Sequence, residues 1–201
     1  MVVKDIGWRA NGNDGTGSNT TVTNGVSGDK ALTFNGSDEW ITVPHNNSLS
    51  FTNNFSIAGW FKRSSATNHA IVTKSDDSGN DRPNYMIDIS SNKIRLFGYE
   101  GASPIGITSL SGSTIEINKW YFVVGTFDGT TWNLYLNGEL DRSSEQAATL
   151  TVTTDSLVIG SRLSTGSVYF NGTIDKVIIF DKVLTNLEVK DLYHKQLGGR
   201  R

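Results

Sequence analysis

The chain has 201 residues, a formal net charge of −2, 21 glycines and no cysteine. This length suits a single domain with its own core, and the charge gives no electrostatic basis for binding nucleic acid. The lack of cysteine excludes disulfides, zinc–thiolate sites and thiol nucleophiles. No apolar run is long enough for membrane insertion. Residues 1–6 lack the apolar core of a signal peptide.

The predicted elements begin with short strands. Residues 1–28 are polar and predict one strand followed by a loop. Residues 28–44, with the sequence GDKALTFNGSDEWITVP, predict two strands joined by a polar turn at 35–38. Further strands are predicted over residues 55–62, 69–74, 84–90, 93–99, 120–127, 131–136, 157–160 and 172–180.

The apolar period changes after the last strand. Leu184, Leu187, Val189 and Leu192 fit a helix over residues 185–195, with Thr185 as N-cap and Glu188 as its capping-box partner. Residues 198–201 are predicted to be a flexible tail. The fold class is therefore all-β, a two-sheet antiparallel β-sandwich of the jelly-roll type with one short C-terminal helix. No repeat of fixed period supports a propeller.

Five ordered segments resemble the laminin-G-like family of the concanavalin A-like lectin/glucanase jelly-roll superfamily. They are residues 28–44, FSIAGW at 55–60, WYFVVGTFDG at 120–129, LYLNG at 134–138 and GTIDKVIIF at 172–180. The resemblance runs from residue 26 to 195 and implies a single domain over 1–201, in which residues 1–25 fit loosely. It also implies that Trp60 and Trp120 belong to the core, where we also expect Trp40 and Trp132. Trp8 would cover a sheet edge.

Catalysis is not expected, although the superfamily includes glucan hydrolases. Retaining glycosidases need two carboxylates about 5–5.5 Å apart, and the laminarinase-like members carry them on one strand as Glu-x-Asp-x-x-Glu. The chain has no such cluster, and Asp88 has no acidic neighbour at 86 or 90. We therefore predict that the protein is not an enzyme.

Calcium is the cofactor that the resemblance implies, because relatives hold it with carboxylates and loop carbonyls. Asp76 and Asp77 match the first acidic pair of a pentraxin-like site, but residues 161–164 lack the acids of the second. A structural calcium near Asn35, Asp38 and Asp175 is the remaining metal hypothesis. The alternative is that these side chains bond their own turn backbones.

A glycan site is predicted where polar and aromatic residues share a rim loop. Sugar C–H faces stack on rings, while Asn, Asp and Arg side chains bond the hydroxyls. The alternative is an ordinary solvated loop. The candidate ligand-binding residues are Asp76, Asp77, Asn80, Arg82, Asn84, Tyr85 and Tyr99.

Two functions remain open from the sequence. The first is a non-catalytic carbohydrate-binding or adhesion module, extracellular and displayed on a cell or virion surface, with host attachment as one role. The second is a structural virion or surface-assembly protein that contacts neighbouring protein subunits, and a homo-oligomer is compatible with it. An open groove with a bare aromatic ring would favour the first function, and an exposed apolar patch of several hundred Å² the second.

Overall fold

The computed structural model describes residues 2–4, 12–75, 77, 80–110 and 112–197. Helix α1 spans Asn186–Leu197, and a 3-10 turn spans Asn47–Leu49. The strands are β1 Val2–Val3, β2 Gly15–Ser18, β3 Thr21–Asn24, β4 Lys30–Asn35, β5 Trp40–Val43, β6 Phe55–Arg63, β7 His69–Lys74, β8 Tyr85–Ser90, β9 Lys93–Glu100, β10 Ser103–Thr108, β11 Tyr121–Phe127, β12 Thr131–Leu136, β13 Glu139–Glu145, β14 Leu157–Ile159 and β15 Asn171–Phe180.

The strands form two antiparallel sheets. In the described part of the chain, the front sheet has the order β1-β2-β5-β14-β7-β8-β9-β10, and the back sheet has the order β13-β12-β11-β6-β15-β4-β3. Consecutive strands often lie in different sheets, so the chain crosses repeatedly between the layers. The predicted two-sheet antiparallel sandwich is confirmed.

The main core lies between the sheets because the strands alternate buried and outward-facing side chains. On β6, Phe55, Ile57 and Phe61 point inward and are fully buried. Trp132 of β12 stacks on Phe127 with ring centroids 4.0 Å apart. Each such side chain contributes roughly 1.5–3 kcal/mol when it leaves water.

A second core lies on the outer face of the back sheet, under α1. Trp60 is 2% exposed, stacks on Tyr193 of the helix and donates its indole N–H to Gln196 Oε1 at 2.7 Å. The predicted capping box is confirmed, because the Thr185 N–H donates to Glu188 Oε2 and the Glu188 N–H donates to Thr185 Oγ1. The helix thus shields one face of the back sheet and leaves the outer face of the front sheet for other roles.

The tryptophans divide between these environments. Trp60 and Trp132 are core residues as expected, and Trp120 packs half-buried against the second core. The expectation for Trp40 is corrected. On β5, Ile41 and Val43 face the core, so the alternation puts Trp40 on the outer face of the front sheet, where its ring lies 5.8 Å from that of Tyr169. Trp8 lies outside the described residues.

Candidate functional site

An open groove lies on the outer face of the front sheet, along β9 and β10. On β9, Ile94 and Leu96 are fully buried against the core, so Arg95, Phe97 and Tyr99 project from the opposite face. The groove has a volume of about 320 Å³. It is lined by Arg95, Phe97, Tyr99, Pro104, Ile105, Gly106, Ile107, Thr108 and Arg162.

An ion pair with the adjacent strand β8 fixes the first guanidinium. Asp88 on β8 pairs in register with Arg95 and is 4% exposed. Arg95 Nε donates to Asp88 Oδ1 at 2.8 Å, and Nη2 donates to Oδ2. The guanidinium also lies 4.9 Å from the centroid of the Phe97 ring. Burial raises the pKa of Asp88, and the hydrogen bond from Arg95 and the charges of Arg95 and Arg162 oppose that rise.

The second guanidinium comes from the segment 161–167, which follows β14. Ser161 Oγ accepts the Ser167 N–H at 2.8 Å, and the Arg162 N–H donates to the Ser167 carbonyl at 2.8 Å, so the segment closes on itself. Asp77 anchors it by accepting the Ser164 N–H at 3.0 Å. Arg162 Nε then donates to Asp81 Oδ1 at 2.7 Å, which orients its side chain along the groove.

The profile of the concanavalin A-like lectin/glucanases superfamily matches residues 35–190. The chain belongs to this superfamily. Among curated protein sequences, none matches the chain. Solved structures with the same fold do match.

Three of these structures illustrate the range of similar proteins. Domain 4 of AbnA, an extracellular GH43 arabinanase from Geobacillus stearothermophilus in complex with arabinotriose, has a TM-score of 0.69 at 21% identity, over 89% of this chain and 87% of that one. The binding domain of Paraclostridial Mosquitocidal Protein 1 has a TM-score of 0.75 at 17% identity, over 96% and 49%. The binding domain of botulinum neurotoxin serotype G has a TM-score of 0.72 at 20% identity, over 98% and 50%.

The chain spans about half the length of the two toxin binding domains. At these identities the likeness shows a shared fold. Within the described residues, no helical segment combines the length and the apolar character that a bilayer span requires.

Only some of the residues that the sequence predicted to bind a ligand lie in or next to the groove. Tyr99 lines the groove, Asp77 anchors the segment that carries Arg162, Asn80 is exposed and Arg82 is half-buried. Asp76 lies outside the described residues.

The prediction that Asn84 and Tyr85 bind a ligand is wrong, because both side chains are fully buried. The Asn84 amide accepts the Phe51 N–H and donates to the Phe51 and Thr151 carbonyls, and the Tyr85 hydroxyl donates to the Leu49 carbonyl. A ligand on the surface cannot reach either group.

The groove also contains residues that the sequence prediction missed, namely Arg95, Phe97 and Arg162. A signal for two of them was present, because Arg95, Phe97 and Tyr99 occupy alternate positions of a predicted strand whose other face is apolar. Nothing local marks Arg162, which reaches the groove only through the fold.

The calcium hypothesis of the superfamily does not fit Asn35, Asp38 and Asp175. Asn35 Oδ1 accepts the Ser37 and Asp38 N–H groups, and its amide donates to Asp38 Oδ1 at 2.7 Å, which is an Asx turn. Asn35 pairs with Asn171 of β15. Asp175 lies four residues further along β15, about 13 Å from Asn171 along the strand. Calcium ligands lie at about 2.3–2.6 Å from the ion. In the described part of the chain no three acidic or histidine side chains cluster.

Proposed function

We propose that the chain is a non-catalytic carbohydrate-binding module whose ligand lies in the groove on the outer face of the front sheet. The observation that carries this proposal is the stripe Arg95, Phe97 and Tyr99 on β9. It offers two aromatic faces for sugar C–H groups and a fixed guanidinium for oxygen atoms. The groove is open along the strand, which suits a chain of sugars better than a small enclosed ligand.

The charges around the groove argue against hydrolysis. No carboxylate lines the groove among the residues that the structure describes. Asp88 and Asp81, which hold the two groove arginines, each accept hydrogen bonds from an arginine. A glycosidase needs one carboxyl group to donate a proton and a second one across the scissile bond, and neither acid is placed for these roles.

Similar proteins support a binding role. The arabinanase domain is described in complex with arabinotriose, and the other two structures are binding domains of toxins. We extend this to an extracellular module at a cell or virion surface, with host attachment as one role, where several weak sites together would provide avidity.

The assembly-subunit alternative predicts a contiguous apolar patch. The exposed large apolar side chains of the described residues are Val22, Leu110, Ile117, Leu140, Val152, Val168, Leu187 and Leu197. Most come from separate segments, but Leu110 lies near Leu140, because the Leu110 N–H donates to the carboxylate of Asp141. We favour a glycan over a neighbouring protein subunit as the partner because the groove offers aromatic rings and a fixed guanidinium.

The test is a glycan array probed with the multimerised wild-type chain and with Phe97→Ala and Tyr99→Ala. We expect specific binding by the wild type and a loss of about tenfold or more in affinity for each variant, because each removes a stacking surface. Trp120→Ala is the matched control, since Trp120 is a half-buried ring on the outer face of the back sheet, on the opposite side of the molecule from β9.

Each array is read in millimolar calcium and again in chelator. Binding through rings and guanidiniums survives the chelator. A blank array would refute the proposed function. The groove would be refuted as the site if Tyr99→Ala reduced binding no more than Trp120→Ala does. It would also be refuted if the chelator removed binding.

A further inference from the structure

The groove presents charge of one sign to its ligand. Among the described residues that line it, Arg95 and Arg162 are the charged ones, and the rest are aromatic, aliphatic or small. Their carboxylate partners, Asp88 and Asp81, do not line the groove. The Asp88 side chain is 6% exposed, whereas that of Arg95 is 34% exposed. Asp88 is therefore covered while Arg95 can be reached by a ligand. Asp81 holds Arg162 from a surface position outside the groove lining, with side chains that are 41% and 23% exposed.

Both guanidiniums keep donors for a ligand. Each has five N–H groups in a planar fork. Arg95 uses Nε and Nη2 on Asp88, and Arg162 uses Nε on Asp81. The remaining N–H groups, including Nη1 of both side chains, have no carboxylate acceptor in the described part of the chain. Both side chains line the same groove of about 320 Å³, so one ligand can meet both guanidiniums.

We infer that the groove selects an acidic glycan and that Arg95 and Arg162 together hold its carboxylate or sulfate group while Phe97 and Tyr99 stack on the sugar rings. This inference rests on the proposed function and names its ligand class. Guanidinium forks match the geometry of carboxylate and sulfate oxygens, and a bond between two charged groups is about twice as strong as a neutral one. The ion pairs to Asp88 and Asp81 orient the forks before the ligand arrives, which lowers the entropy lost on binding.

The experiment compares glycans that differ only in charge. The probes are hexagalacturonate and its fully methyl-esterified form, together with sulfated and desulfated pairs of the same backbone on an array. We expect the wild-type chain to bind at least one acidic member about tenfold or more tightly than its neutral counterpart, with affinity that falls as salt rises.

Arg162→Gln is the main variant because its partner Asp81 is on the surface, with 41% of its side chain exposed, and tolerates the loss of a bond. We expect this variant to lose most of the preference for the acidic member, measured as the ratio of its affinities for the acidic and the neutral member. Lys190→Gln is the matched control, since it removes the same charge from α1 on the opposite side of the molecule. Arg95→Lys is the second variant, because a lysine retains a charge over Asp88.

The outcomes separate this inference from the proposed function. Equal binding of acidic and neutral members would overturn the inference and leave a carbohydrate-binding module. An acidic preference that Arg162→Gln and Arg95→Lys both retain would overturn the assignment to these arginines. Failure to bind any glycan would refute the proposed function itself.

Discussion

Lys74, the last residue of β7, is a buried lysine. Its side chain is fully buried, and Nζ lies 3.1 Å from His45 Nδ1 and 3.3 Å from the Thr153 carbonyl, with a third bond to the Asp155 carbonyl. Burial lowers its pKa to about 8, and the carboxylates of Asp155 and Asp77 oppose this shift. The ammonium group therefore joins three chain segments near the loop that carries Asp77.

This burial predicts a pH dependence of stability. The pKa of Lys74 is about 8 in the folded chain, against 10.5 for an ordinary lysine. Between these values the unfolded chain binds more protons, so the contribution of Lys74 to the free energy of unfolding rises with pH. It is fully present above pH 10.5 and is lost as the pH falls through about 8, with an upper bound of about 3 kcal/mol.

The measurement is urea unfolding of the wild type and of Lys74→Met from pH 7.5 to 10.5. We expect the free energy of unfolding of the wild type, minus that of the variant, to grow as the pH rises across this window. Other groups that titrate there are present in both chains, so their contributions cancel in this difference. Lys182→Met, at an exposed position, is the control for the loss of a surface lysine. A difference for Lys74→Met that stays constant from pH 7.5 to 10.5 would contradict the lowered pKa of Lys74.

At the residue scale the sequence indicates the chemistry of each side chain but not its hydrogen-bond partners. Asn84 and Tyr85 were attractive ligand-binding residues because a loop of Asp, Asn, Arg and Tyr resembles a sugar site. In the fold, Asn84 satisfies the backbone of two neighbouring segments, and Tyr85 satisfies a carbonyl that would otherwise be buried without a donor. Contacts at such separations in the chain are not visible in local composition.

At the element scale, the groove depends on a close approach between the sheets behind β9. Gly125 of β11 faces Leu96, and a Cβ placed there would lie 2.7 Å from Leu96 Cδ2. Leu96 sits between Arg95 and Phe97 on β9, so any displacement of its backbone moves the groove residues. Glycine at position 125 therefore allows β9, which carries the groove residues, to lie close to β11 of the back sheet.

We expect Gly125→Ala to lower the free energy of unfolding by about 1–3 kcal/mol through overpacking. Leu96→Ala should cost about 2–5 kcal/mol by leaving a cavity. In the double variant the clashing Leu96 atoms are absent, so the combined loss should be smaller than the sum. Urea unfolding of all four chains measures this coupling.

Gly59→Ala on the neighbouring β6 is the matched control. A Cβ at Gly59 would lie 3.6 Å from Val177 Cγ2, the nearest atom outside the adjacent residues, which is ordinary van der Waals contact. We expect a change within about 0.5 kcal/mol. Additive losses for Gly125→Ala and Leu96→Ala would show that the two positions do not limit the spacing of the sheets.

The elements that the sequence failed to predict are mostly edge strands. β10 and β13 end the front and back sheets, and their side chains are largely exposed. The region predicted as one strand and a loop contains β2 and β3, where glycine, threonine and asparagine dominate. Periodicity detects a strand through its buried face, so the central strands were predicted well and the edges were not. The groove lies against one of these edges, which is why its outline could not be predicted.

At the scale of the whole molecule, the proposed site couples the two sheets. β9 and β10 belong to the front sheet, and the segment with Arg162 leads from β14 in the front sheet to β15 in the back sheet. A ligand that bridges Arg95 and Arg162 would therefore contact parts of the chain that come together only in the folded molecule. Such a ligand binds the native state and not the unfolded chain.

This coupling predicts stabilisation by ligand. A ligand that binds only the native state at a concentration of 100 times its Kd raises the free energy of unfolding by about 2.7 kcal/mol. With hexagalacturonate as the probe, urea unfolding of the wild type should shift to a higher midpoint with an unchanged slope. Arg162→Gln should show a smaller shift at the same concentration, and Lys190→Gln should match the wild type. If a glycan retained by the array leaves the midpoint unmoved at saturation, it binds folded and unfolded chains alike, and a site assembled from β9 and the segment after β14 is ruled out.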